Sequence, residues 1–545
     1  MREVFVNLFS SEQIKGKVLD HLGLVAATIE DLGIIEKVDA LFPLSKNKGS
    51  KVSMGQRVAA MILNGLGFID NRLYMFEKFL ENKPVDKLFG EGVEASFFND
   101  DALGRALDAI SKHGTTKFFT EVSFSIGKEK NLIGPTMRGD TTTLAVYGDY
   151  PEERQTKETV RPAKGHSKIK RGDLKQMVLH LATTGSAGFP LWMEAQAGNA
   201  SDKKTLVEAA KRMEAFRKQL DLDDPIYVGD SAFYSGAVTY SSEMKWLSRV
   251  PENITKAKQV IHTDQDNWID LPNGYRIQPF CIEFKGVHQR WLLVHSDQAY
   301  KRELKTLEKQ ISKEETEAIK TLRHLSQQEF GCSKDASKVI SEIKLKYHKV
   351  CYKTKEIKKH QSRGRPTEET PYTTVFKISP TLEKDQEKIC DAQEAKGRFI
   401  LATNDKDRLS NEEMLIEYKK QSSTESGFQF IKNNAFEADS IFLKNPSRIQ
   451  ALMAIMCLCL MVYGYAQHKL RSILKETNET LPNQLKKETN HPSMKWVYYL
   501  FQGVHVVKIK TQELNQELVI NLTPLLEKII KMFGVRAMEI YALTA

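Results

Sequence analysis

Cysteine is scarce. The six thiols, Cys281, Cys332, Cys351, Cys390, Cys457 and Cys459, form no C-x-x-C pair and no Cys/His spacing of a zinc site. This argues against a disulfide scaffold or a thiolate metal centre and fits free thiols in a reducing cytoplasm. A long apolar run is missing too. The best candidate, Ala451 to Ala466, is about a turn short of the roughly 20 residues a spanning helix requires. It is therefore expected to be a core helix, apolar all round because it is covered on all sides. Met1 to Asn7 lacks the cationic start and apolar run of a secretory signal. Nothing in the sequence argues for a membrane.

What is present is an ordinary globular composition, 41% hydrophobic and 28% charged. At 545 residues the chain exceeds what one core usually organises, so three or more domains are expected. Lys and Arg outnumber Asp and Glu by 80 to 70, a net +10 that mildly suits a polyanionic partner.

From Asp20 to about Ile126 the apolar residues recur at helical spacing, as in Val58, Met61, Ile62 and Leu66. Asn99 or Asp100 would cap a helix over Ala102 to Ser111. An all-helical N-terminal domain, residues 1–128, is expected. After Gly134-Pro135 the pattern turns to strands: Thr136 to Tyr147, Lys175 to Thr183, Gly188 to Gln196, Ile226 to Val228 and Leu247 to Val250. A helix-like run, Lys203 to Leu220, lies between the third and fourth. This order predicts an α/β fold with a mixed sheet over 129–250.

Residues 251–404 have a different texture. Short strands at Tyr275 to Glu283 and Gln289 to Val294 flank a long charged helical region, and a strand over Arg398 to Thr403 closes the segment. Residues 301–360 carry sixteen Lys or Arg against nine Asp or Glu. A solvated helical hairpin and a DNA-facing surface are both open readings. Arg363-Gly364-Arg365-Pro366 is similar to the core of minor-groove AT-hooks, with a plain loop turn as the alternative.

Three carboxylates stand out. Asp140 shares a strand face with Thr142, Leu144 and Val146, where a charge is costly without a partner such as a metal ion. Asp230 follows Ile226-Tyr227-Val228-Gly229, at the carboxyl end of its strand where open α/β sheets present ligand groups. Either aspartate alone could be a strand-end cap. Ser410 and Glu413 form a capping box, so a helix should begin near Asn411. Along it Tyr418, Gln421, Glu425 and Lys432 fall within roughly 60° of one another at about 100° per residue, a single polar stripe.

The spacing Tyr418-x2-Gln421-x3-Glu425-x6-Lys432 resembles the Y-x2-R-x3-E-x6-K signature of DDE transposases in the insertion-sequence 4 superfamily, closest to its 1634 group. Further blocks resemble that group: Asp140-Thr141-Thr142, Gly165-His166-Ser167 through Asp173-Leu174-Lys175-Gln176, Gly198-Asn199-Ala200-Ser201-Asp202, and Val228-Gly229-Asp230-Ser231-Ala232. Gln421 departs from the usual arginine. The resemblance covers about 130–480 and implies an RNase H-like catalytic core in two parts, 129–250 and 405–480, around an insertion domain, 251–404. The separations fit: 90 residues from Asp140 to Asp230 and 195 from Asp230 to Glu425.

What the resemblance implies follows from there. Asp140, Asp230 and Glu425 would hold two Mg2+ (or Mn2+) ions for DNA cleavage and strand transfer. Lys432, Tyr418 and Gln421, with Arg363 and Arg365, would contact DNA. The partners would be double-stranded DNA, at the element's terminal inverted repeats and at the target, and a second copy of the chain in a synaptic homodimer. The helical domain is a candidate for binding element ends, and the site of action would be the cytoplasm of a bacterial or archaeal cell, at the nucleoid. A nuclease without strand transfer and a catalytically silent DNA-binding descendant are the alternatives. The region 481–545 contains the apolar run Trp496 to Phe501, for packing on its own core or for pairing subunits.

Overall fold

The structure is a computed structural model that describes residues 14–43, 51–67, 75–147, 150, 160–165, 172–200, 208–209, 211–215, 218, 224–231, 233–235, 244–262, 267–360, 365, 368, 370–420, 443, 445–510 and 515–543. The chain divides into two compact units, Met1–Ser248 with Leu415–Ala545, and Arg249–Met414.

The first unit opens with a short strand, β1 (Ile14–Val18), which the sequence did not reveal, followed by the expected helices. The first and last of these are Leu22–Asp31 and Thr115–Glu129. In Met54–Gly65, Ser53 and Gln56 cap each other reciprocally, while Val58, Met61 and Ile62 are buried. Gly55 lets this helix approach Ile34–Leu41 closely, since a Cβ there would lie 2.3 Å from the Ile35 carbonyl oxygen. The helix expected near Asn99 is Asp100–His113, with the Asn99 side chain accepting from the Ala102 N–H at 2.9 Å.

Five strands follow: β2 (Thr136–Val146), β3 (Lys175–Thr184), β4 (Phe189–Ala197), β5 (Ile226–Gly229) and β6 (Trp246–Arg249). Their order is β4-β3-β2-β5-β6. The first three are antiparallel neighbours, whereas β5 runs parallel to both β2 and β6. This is the mixed sheet of an RNase H-like core. Gly185 and Gly188, both at positive φ, close the β3–β4 turn, a conformation glycine adopts without strain. The helix Pro446–Glu476 packs on β4 and on the helices Met54–Gly65 and Asp100–His113. It buries Ala451, Met453 to Val462 and Ala466, as expected of a core helix. It is longer than its apolar run, and among the described residues it is the one helix long and apolar enough by length and composition to cross a membrane.

In the second unit, β7 (Ile269–Leu271), β8 (Tyr275–Phe284), β9 (Val287–Ser296) and β12 (Arg398–Thr403) form antiparallel neighbours in the order β12-β9-β8-β7. The helices Asp297–Gln327 and Ser333–Ser341 follow β9. The expected helical character stops there. Residues His348–His360 (β10) and Tyr372–Lys384 (β11) form a two-stranded antiparallel ribbon, so the lysine-rich end of the region is strand and not part of a helical hairpin. Lysine has low strand preference, but Val350 facing Leu382 and Ile357 facing Val375 supply β-forming pairs.

The chain returns to the first unit within the helix Asn411–Lys419. After Pro446–Glu476 come a small hairpin, β13 (Leu481–Pro482) with β14 (Glu488–Thr489), the helix Met494–Leu500, and strands β15 (His505–Lys510) and β16 (Asn515–Ile520). The strand β1 pairs with β15, which pairs with β16. The Trp496–Phe501 run buries Val497, Tyr498 and Phe501 inside this unit and leaves Tyr499 at the surface.

Candidate active site

Asp140 lies on β2 and Asp230 directly follows β5, two parallel neighbours. Their register pairs Arg138 with Val228. The paired residues end at Arg138 and Val228, and each aspartate follows two residues beyond them, Asp140 within β2 and Asp230 where the chain leaves β5. The sheet thus carries two carboxylates, 90 residues apart in sequence, just beyond the paired stretch of two neighbouring parallel strands.

Local bonds hold each in place. Asp140 is half-buried, and its Oδ1 accepts from the Thr141 N–H at 2.7 Å. Asp230 is exposed where the chain turns from β5 into a helical segment. Its Oδ1 accepts from the Phe233 N–H at 3.2 Å, a capping contact, and its carbonyl accepts from the Ser248 hydroxyl at 2.6 Å. Gly229 is required for this turn: a Cβ there would lie 2.5 Å from the Phe233 side chain.

The sequence reading missed a buried ion pair beside Asp140. Arg138 shares a strand face with Asp140 and is 1% exposed. Its guanidinium reaches Glu417 Oε2 at 2.9 Å and the Gly185 carbonyl at 2.9 Å. Glu417 also accepts from the Thr136 hydroxyl and, at 2.5 Å, from Lys420. Burial would raise the Glu417 pKa, but the bonds from Lys420, Thr136 and Arg138 outweigh it and hold the carboxyl below its ordinary range. Both its oxygens are engaged, which suits an anchor for the helix Asn411–Lys419 rather than a metal ligand. Signals existed in the sequence: an arginine on the buried face of a strand requires an anion, and Glu417 adjoins the polar stripe.

That helix starts as expected. Ser410 and Glu413 exchange hydrogen bonds, 2.7 Å to the Ser410 N–H and 3.2 Å from the Glu413 N–H. Tyr418 is half-buried near its end, and Arg365 is exposed in the second unit. Gln421, Glu425, Lys432 and Arg363 lie outside the described residues.

Asp140 and Asp230 offer adjacent hard oxygen donors, the chemistry a Mg2+ or Mn2+ ion takes. Among the described residues no group of three His, Cys, Asp or Glu could hold a metal, so a complete site requires a ligand from elsewhere in the chain.

Other motif blocks meet through backbone contacts. Ala163 and Gln176 exchange N–H···O bonds of 3.1 and 2.9 Å, and the Gln176 side chain donates to the Gly198 carbonyl at 2.8 Å. A Cβ on Gly198 would lie 2.0 Å from the Gln176 carbonyl oxygen, and one on Gly165 would lie 2.1 Å from that of Gly198. The two glycines permit the close approach of three segments beside β3.

The sequence profile of a domain of unknown function, DUF4277, matches residues 14–124, and that of a Transposase DDE domain matches 140–462. No curated protein matches the chain. Among solved structures, the cryo-EM structure of a piggyBac transposase synaptic complex with hairpin DNA is similar at 10% identity, covering 89% of this chain and 80% of that one, with a TM-score of 0.35, too low to equate the two folds. The DDE profile spans more than half of the chain and begins at Asp140 itself, so the protein belongs to the Transposase DDE domain family.

Proposed function

We propose that the protein is an insertion-sequence transposase of the insertion-sequence 4 superfamily, nearest its 1634 group, that binds the ends of its element and catalyses cleavage and strand transfer. The observation that carries this reading is that Asp140 and Asp230 each lie two residues beyond the paired stretch of the parallel neighbours β2 and β5. Glu425 is the third carboxylate, delivered by the chain that follows the Asn411–Lys419 helix.

Asp140, Asp230 and Glu425 would hold two Mg2+ ions, whose chemistry would be Lewis-acid activation of the attacking oxygen and charge stabilisation of the leaving one. In the first step water attacks a phosphodiester at the element end, the bond from phosphorus to the 3' oxygen breaks, and a 3'-hydroxyl and a 5'-phosphate result. That hydroxyl then attacks a target phosphodiester in the same site. The Thr141 and Phe233 N–H groups orient the carboxylates of Asp140 and Asp230. Tyr418, Gln421 and Lys432 position terminal phosphates, and Arg363 and Arg365 contact flanking DNA. The helices of residues 1–128 bind element ends, residues 251–404 are an insertion in the core 129–250 and 405–480, and a homodimer pairs two ends. Action is at the nucleoid.

Asp140→Ala, Asp230→Ala and Glu425→Ala should each abolish cleavage of an end-bearing duplex while leaving its binding largely intact, because phosphate contacts come mainly from Lys and Arg. Mn2+ binding, followed by calorimetry, should weaken in parallel. Near-wild-type cutting by any one variant removes that residue from the site.

A further inference from the structure

The second unit carries a ribbon with one face rich in lysine. The strands β10 and β11 run antiparallel over thirteen residues each, a ribbon about 40 Å long. Because side chains alternate, the ribbon has two different faces. Val350, Ile378 and Leu382 point to one side, where they pack on Leu322, Leu325, Ala336 and Ile340 of the helices Asp297–Gln327 and Ser333–Ser341. The other face carries Lys349, Lys353, Lys355 and Lys359 from β10 and Lys377 from β11, with Lys355 directly opposite Lys377. Its one acidic residue within the strands is Glu383, opposite Lys349 at the end nearest the helices.

These lysines are held loosely. Lys359 and Lys377 share Glu329 at 2.9 and 3.7 Å, and Lys349 reaches Asp385 at 3.1 Å. Lys353 and Lys355 are exposed and have no carboxylate partner among the described residues. The Asp385 carboxylate is buried, but the two pairs with Glu329 are surface pairs, which contribute on the order of 1 kcal/mol or less, so an incoming phosphate can replace that carboxylate. Protection of an exposed ribbon from edge-to-edge pairing would also favour charge. That need is met by either sign, whereas this face has five cations to one anion.

We propose that the lysine face of the β10–β11 ribbon docks on duplex DNA, the ribbon lying in the major groove with lysines reaching the flanking phosphates. The proposal rests on the transposase reading above and adds the element that grips the duplex. Two strands about 4.8 Å apart form a ribbon that fits a groove about 12 Å wide. From Lys353 to Lys359 the face spans about 20 Å, several phosphate steps along one DNA strand.

The test uses the full-length protein and a short random-sequence duplex, with binding measured by fluorescence anisotropy over a salt series. The paired variant Lys353→Glu with Lys355→Glu should bind roughly tenfold or more weakly at low salt. The neutral pair Lys353→Gln with Lys355→Gln should lower the slope of log K against log salt by about two, since each phosphate contact contributes about 0.9. It also stands in should the charge reversal impair folding. Lys309→Glu with Lys320→Glu, the same charge change on the exposed side of Asp297–Gln327, should have a clearly smaller effect. Equal losses from both reversals would assign the effect to net charge and overturn the proposal, as would an unchanged slope in the neutral variant. The wild type should shield guanine N7 from dimethyl sulfate, and binding without that protection would overturn the groove placement. A wild type that binds no duplex at low salt would overturn the transposase reading itself, a result distinct from a wild type that binds and a ribbon variant that binds equally well.

Discussion

At the scale of single residues, the contact that decides most is Arg138 with Glu417, 279 residues apart in sequence. Removing one partner leaves a buried charge uncompensated, which typically costs about 3–5 kcal/mol. Arg138→Met and Glu417→Met should each lower the urea midpoint accordingly, and the double variant should recover part of the loss. Additive losses would show that the pair is not coupled. Two buried histidines make a separate prediction. Burial pushes both His21 and His180 down to about 4, with Arg212 adding to the effect at His180. The unfolded chain takes up these protons below about pH 6.5 and the folded chain does not, so stability is present above that pH and is lost as pH falls toward 4. At pH 5 each should cost roughly 2 kcal/mol. Urea unfolding at pH 7 and pH 5 measures this, and His180→Leu should remove its share of the difference. Identical midpoints at the two pH values would show that these rings are already protonated in the fold.

At the scale of elements, the helix Asn411–Lys419 joins local sequence to the candidate site. Its capping box was legible because Ser410 and Glu413 are three residues apart and satisfy each other's backbone N–H groups. Ser410→Ala should cost about 1 kcal/mol and fray the helix start. The same helix carries Glu417 and leads toward Glu425, so cleavage should fall more than DNA binding does. A variant that loses stability with cutting and binding reduced equally would separate the cap from the site. The β10–β11 ribbon was not legible. Its lysines lay in a stretch expected to be helical, and only the long-range pairing of the two strands places Lys349, Lys353, Lys355 and Lys359 on one face by a period of two.

At the scale of the molecule, the two ends of the chain build one structure within the first unit. Besides the β1–β15 pairing, the Asp20 carboxylate accepts from the Gly503 N–H at 2.8 Å, the Tyr541 hydroxyl donates to the Asp20 carbonyl at 2.5 Å, and Arg536 pairs with Glu30 at 2.8 Å. Truncation after Thr480 would strip β1 of its partner strand and expose Leu19, Leu22 and Val25, each at most 1% exposed in the fold. The truncated protein is expected to be insoluble or to lose its cooperative thermal transition. A soluble, cooperatively melting product would instead make the C-terminal region an appendage and return subunit pairing to it as a testable role.

Local pattern alone determined the elements whose signals lie within a few residues: the capped helix at Asn99, the alternating strand around Asp140, the apolar strand before Asp230, the helix start at Ser410 and the core helix around Ala451–Ala466. Each rests on a periodicity or a cap that neighbouring residues complete. Tertiary structure decided what depends on distant partners. It made the strands that carry Asp140 and lead to Asp230 parallel neighbours, and matched buried Arg138 with Glu417. It also paired β1 with β15 and turned a lysine-rich stretch into one face of a ribbon. Those outcomes follow from strand register and the need to neutralise buried charge, which bind residues dozens to hundreds of positions apart and leave little trace in any short window of sequence.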